Sequence, residues 1–84
     1  MEYKVYILWS ALLEKYYVGS TQNLEDRFYR HNAGHEKFTS TGKPWVLVWN
    51  AVFRTRAEAV QLENKIKKRG IRRYLQDNGI SFGK

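Results

Sequence analysis

Residues 3–9 read Tyr-Lys-Val-Tyr-Ile-Leu-Trp, an aromatic and β-branched run that predicts a strand. Alternation puts Tyr3, Val5, Ile7 and Trp9 on one face and Lys4, Tyr6 and Leu8 on the other. A second strand is predicted over residues 15–20, Lys-Tyr-Tyr-Val-Gly-Ser. The link between them, residues 10–14, is short enough for an antiparallel hairpin, although it holds no Gly, Asn or Asp to set the turn. The spacing then becomes helical: Leu24 and Phe28 stand at i and i+4. Asn23 or Thr21 can cap this helix, Glu25 and Asp26 suit its first turn, and Gly34 is a natural stop.

Residues 45–53, Trp-Val-Leu-Val-Trp-Asn-Ala-Val-Phe, are nearly continuously apolar. Such a run predicts a strand covered on both faces, at the centre of its sheet. Thr55-Arg56-Ala57-Glu58 is a capping box, opening a helix that runs to about Arg69 with Ala59, Leu62 and Ile66 inward. Gly70 breaks the pattern. A short last helix over residues 71–78 turns Ile71, Tyr74 and Leu75 inward and stops at Gly79. The single proline, Pro44, closes the most loop-like stretch, residues 39–44. The expected fold is α+β, a small three-stranded antiparallel sheet flanked by helices in the order β-β-α-β-α-α.

Composition narrows the class. Eighty-four residues suit one domain, 1–84, and 43% hydrophobic with 27% charged residues is an ordinary globular balance. Cysteine is absent, which excludes disulfides and thiolate metal sites. No apolar run nears the ~20 residues of a membrane span, and the N-terminus lacks a signal peptide's pattern. A cytoplasmic protein without a membrane partner is expected. Charge is more telling. The formal net charge is +7, and residues 54–73 hold eight cations, Arg54, Arg56, Lys65, Lys67, Lys68, Arg69, Arg72 and Arg73, against Glu58 and Glu63. Clustered positive charge is the footprint of a polyanion such as nucleic acid, although Lys and Arg also make ordinary solvated helix faces.

Few side chains offer chemistry. Glu63 falls four residues after Ala59 and three before Ile66, near the middle of an apolar stripe. A carboxylate there needs a cation: a bound metal, or Lys67 at i+4, which geometry alone favours. Arg27 and His31, also i and i+4, suit phosphate and proton transfer, yet on spacing alone they read as two exposed polar residues. Tyr6 and Tyr17 lie on the two hairpin strands and by themselves read as packing residues. Trp9, Trp45 and Trp49 leave open an exposed aromatic patch.

Taken in order, these residues resemble the GIY-YIG nuclease superfamily from about Lys4 to Arg69. Lys4-Val5-Tyr6 and Tyr17-Val18-Gly19 hold the places of the two naming tripeptides. Tyr17-Val18-Gly19-Ser20-Thr21, Asn23-Leu24-Glu25-Asp26-Arg27 and His31-Asn32-Ala33-Gly34 look most like the small stand-alone members. Residues 59–68 resemble the helix that carries the family's acidic residue. Lys4-Val5 replaces Gly-Ile, Ser20 stands where some members carry Lys, and the Asn found about a dozen residues after the Glu in many members has only Asn78 as a loose match.

The resemblance implies that Tyr6, Tyr17, Arg27, His31 and Glu63 converge on one site, with Gly19 letting backbone come close. It implies hydrolysis of DNA phosphodiesters with one divalent cation, Mg²⁺ with Mn²⁺ as substitute. Glu63 would hold the cation, Arg27 the phosphate, and Tyr6 would act as base, with Tyr17 beside it and His31 as rival base. Branched and damaged DNA are among the candidate substrates. The alternatives are a basic nucleic-acid-binding module with little cleavage, and a nuclease subunit that needs a protein partner for targeting.

Overall fold

The computed structural model describes residues 2–33 and 40–80. It comprises β1 (Tyr3–Ser10), β2 (Lys15–Thr21), α1 (Leu24–Ala33), a 3-10 turn (Ser40–Gly42), β3 (Trp45–Phe53), α2 (Arg56–Arg69) and α3 (Ile71–Asp77). The three strands form one antiparallel sheet in the order β2-β1-β3. This is the expected α+β order.

The local signals account for most element ends. Asn23 accepts the Asp26 N–H through Oδ1 at 3.1 Å, and the Thr21 hydroxyl accepts the Asn23 N–H at 3.1 Å, so both cap candidates take part. Thr55 accepts the Glu58 N–H at 3.2 Å and donates to its carboxylate at 3.0 Å. Gly70 and Gly79 take φ of 97° and 71°, left-handed values that end α2 and follow α3. The hairpin turn places Glu14 rather than a glycine at a left-handed φ of 53°, and the buried Ser10 hydroxyl ties it down by accepting the Leu13 N–H and donating to the Gly42 carbonyl. The expected stop at Gly34 lies outside the described residues.

Two expectations need correction. The central strand is β1, whose residues Val5 to Ser10 are all buried, and β3 is an edge strand with Val46, Leu47 and Val52 exposed. A three-stranded sheet with helices on both faces fully covers only its middle strand, so an apolar run alone does not find the centre. The tryptophans make no exposed patch. Trp9 and Trp45 are buried, and the half-buried Trp49 packs its ring edge-on against Tyr74, centroids 5.4 Å apart.

The sheet separates two cores. On one face Val5, Ile7 and Val18 meet Ala59, Ile66 and Leu75 of α2 and α3. On the other, Tyr6 and Leu8 meet Trp45, Tyr17, Leu24 and Phe28, beneath α1. Among the described residues no helix is long and apolar enough to cross a membrane.

Candidate functional site

The α1 core holds the polar residues. Tyr6 projects from the central strand, directly opposite Gly19 in the β1–β2 register. Tyr17, two residues from Gly19, shares that face. On α1, Leu24, Phe28 and His31 stand at i, i+4 and i+7, one continuous inward stripe. His31 is therefore buried, 1% exposed, and not the exposed polar residue that spacing against Arg27 alone suggests. The i+7 position was the signal that finds it.

Tyr6 is fully buried, and its hydroxyl lies 3.0 Å from His31 Nε2. With Nε2 unprotonated, the phenol donates and the imidazole accepts. Each buried polar group thus meets the other, which removes most of the desolvation cost of placing them there. The Tyr17 ring stands edge-on to His31 with centroids 5.0 Å apart, and 6.3 Å from the Tyr6 ring. Gly19 makes this packing possible. A Cβ there would lie 2.7 Å from the Tyr6 hydroxyl oxygen, 2.9 Å from its Cζ and 3.2 Å from Tyr17 Cε2. Arg27 sits one turn before His31 on α1, half-buried, with its Nε shielded from solvent.

Asn32 holds α1 in this pose. Its side-chain amide donates to the Trp45 carbonyl at 3.1 Å and accepts the Trp45 N–H, so one side chain pairs with the first residue of β3 as a strand would. Nothing in the local pattern marks Asn32, since its partner lies thirteen residues on.

Glu63 belongs to the opposite layer. Ser20 pairs with Val5 and faces α2, where its hydroxyl donates to Glu63 Oε1 at 2.8 Å. Lys67 Nζ lies 2.8 Å from Oε2, which is the i+4 pair the spacing favoured. The structure therefore groups Tyr6, Tyr17 and His31 tightly, with Arg27 on the same helix. Glu63 stands across the edge strand β2, against the residue next to Gly19. Ser20 orients the carboxylate.

Among the described residues no three His, Cys, Asp or Glu side chains group as a metal cage. A single carboxylate flanked by a hydroxyl fits a hard cation that keeps most of its ligands as water and phosphate oxygen. The basic segment lies on α2, α3 and the turn before them, with all eight cations exposed. Several also serve the fold. Arg56 and Arg72 lie 5.4 Å from the ring centroids of Tyr3 and Tyr16, and Arg69 forks onto Asp77 at 2.9 and 3.2 Å. The Arg69 guanidinium holds the Asp77 carboxyl below its usual range, with a smaller contribution from Arg73.

Comparison with known proteins agrees with this fold. Residues 2–74 match the family described as the GIY-YIG catalytic domain. A UPF0213 protein of Staphylococcus haemolyticus is 44% identical over 52 residues, which span 61% of this chain and 63% of that relative's length. A UPF0213 protein of Pediococcus acidilactici is 35% identical over 81 residues, spanning 89% of this chain and 82% of the relative. The solution NMR structure of a UPF0213 protein from Bacillus halodurans superposes with a TM-score of 0.59 at 29% identity, covering 94% of this chain and 84% of that one.

Proposed function

This chain belongs to the GIY-YIG family, a nuclease family, and from that membership we propose that it is a divalent-cation-dependent endonuclease hydrolysing DNA phosphodiester bonds. The observation that carries the reading is the buried hydrogen bond between Tyr6 and His31, set over Gly19 and beside Tyr17. A phenol is a poor base at neutral pH, and an imidazole at 3.0 Å is the acceptor it needs. In this reading Tyr6 and His31 act as one unit and are not rivals: His31 Nε2 takes the phenolic proton as Tyr6 takes one from the attacking water. Both are sealed from solvent, whereas Tyr17 is partly open, so the side chains over Tyr6 must part for that water to arrive.

Arg27 supplies charge-assisted hydrogen bonds to the phosphate as negative charge develops. Glu63 would hold Mg²⁺, or Mn²⁺ in its place, at the β2 edge, oriented by Ser20. When bound, the ion neutralises charge on the scissile phosphate and the leaving oxygen. The exposed cations Arg54, Arg56, Lys65, Lys67, Lys68, Arg69, Arg72 and Arg73 attract the nucleic-acid backbone without reading sequence.

Glu63→Ala tests the assignment. Cation-dependent cleavage should be lost while DNA affinity stays within a few-fold of wild type. Full activity in Glu63→Ala would remove Glu63 as the metal ligand, and a folding defect that parallels the activity loss would return it to a purely structural ion pair.

A further inference from the structure

Glu63 has both carboxylate oxygens engaged by the chain itself. The two partners differ in kind. Ser20 is a short side chain on a strand, one rotatable bond from the backbone, and its hydroxyl donates to Oε1 at 2.8 Å. Lys67 is a flexible four-carbon stem with a strongly hydrated ammonium, 55% exposed, against a carboxylate only 17% exposed. A half-exposed Glu–Lys pair at i and i+4 is weak and readily exchanged. The ammonium nevertheless stands 2.8 Å from Oε2, while the Ser20 hydroxyl is bonded to Oε1.

We propose that Lys67 is a tethered counter-ion which holds the cation's place on Glu63 and must leave before that carboxylate can take a divalent ion. The proposal rests on the reading of Glu63 as metal ligand and adds what sets its affinity. Ser20 keeps the carboxylate oriented in both states, so only the lysine stem rearranges. The released ammonium remains on the same helix turn, within reach of a nucleic-acid phosphate. Metal affinity is thereby kept low in the free protein, and the charge freed from Glu63 is offered to the substrate backbone.

The test is Mn²⁺ binding to the free protein, followed by electron paramagnetic resonance of unbound Mn²⁺, with circular dichroism to check folding. Lys67→Gln should bind Mn²⁺ roughly fivefold more tightly than wild type, the upper end for releasing a half-exposed ion pair. Lys67→Arg, which keeps the charge, should stay near wild type. Lys68→Gln removes the same charge one residue away and should change affinity by no more than about twofold, the general screened effect. Measurable binding in Lys67→Gln with none in wild type is the same result in a stronger form. Affinity in Lys67→Gln no greater than in Lys68→Gln, or no binding in either, would overturn the proposal. Glu63→Gln separates the two layers of the argument. Loss of Mn²⁺ binding there with no gain in Lys67→Gln sinks the lysine's role alone, whereas wild-type binding in Glu63→Gln sinks the metal assignment beneath it.

Discussion

Replacing Gly19 by Ala adds one methyl group at the point where the two motif strands meet. That carbon would sit 2.7 Å from the Tyr6 hydroxyl oxygen and 2.9 Å from Cζ, both inside contact distance. The ring has no easy retreat, because Tyr6 is fully buried and its hydroxyl is tied to His31 at 3.0 Å. Either the ring tilts and that hydrogen bond stretches, or β2 parts from β1. Overpacking of this kind costs about 1–3 kcal/mol. Alanine also restricts the unfolded chain more than glycine, a gain of about 0.5–1 kcal/mol. The clash outweighs the gain, leaving a net loss of about 1–2 kcal/mol. For a domain of this size that is a fall in Tm of roughly 4–16 °C. Thermal melting by circular dichroism measures it. The cause is checked by repeating Gly19→Ala in a Tyr6→Phe background, where the closest contact is gone and the penalty should shrink. A Tm equal to or above wild type, or strict additivity of the two substitutions, would refute the packing argument.

Three further outcomes follow. If Tyr6 and His31 act as one unit, Tyr6→Phe should lower cleavage by about 10²-fold and the double variant Tyr6→Phe/His31→Gln by little more; multiplied losses would mean two separate roles. DNA affinity should fall with salt at a slope of roughly −3 to −4 in log–log form if about four phosphates are contacted, and charge reversal at Lys67, Lys68 and Arg69 should weaken all sequences alike; salt-independent affinity would contradict this. Because Arg69 holds the Asp77 carboxyl below its usual range, their pair stabilises the fold at and above that range and is lost as the pH falls through the lowered value; Asp77→Asn should flatten the acid limb of a Tm-against-pH curve, and an unchanged limb would show the pair to be inert.

Local rules made much of this fold legible. Two strands with a helix-capping Asn23, the Thr55 capping box and the Gly70 break all follow from near neighbours in the chain. What they did not reveal depends on partners far along it. The apolar run of β3 was read as central, yet coverage of a strand is decided by which neighbours and helices flank it. His31 was read against Arg27, four residues away, when its place in the Leu24–Phe28 stripe buries it. Asn32 carried no signal, because its task is to pair with Trp45 in another element. Ser20 was read only as standing where some family members carry Lys, and its role became visible once β2 and α2 were packed together. The grouping of Tyr6, Tyr17, Arg27, His31 and Glu63 as one set came from family resemblance; packing alone brings the first four to one layer and Glu63 to the opposite one, across the edge strand β2.

The proposed activity is cation-dependent cleavage of DNA by this chain. Its most direct test is incubation of the purified protein with matched linear, nicked and branched DNA substrates in Mg²⁺, in Mn²⁺ and in EDTA, resolved on denaturing gels. Strand scission of at least one substrate is expected in either metal and none in EDTA. Scission that persists undiminished in EDTA, or intact DNA in every metal-containing reaction under conditions where the protein is bound to it, would contradict it.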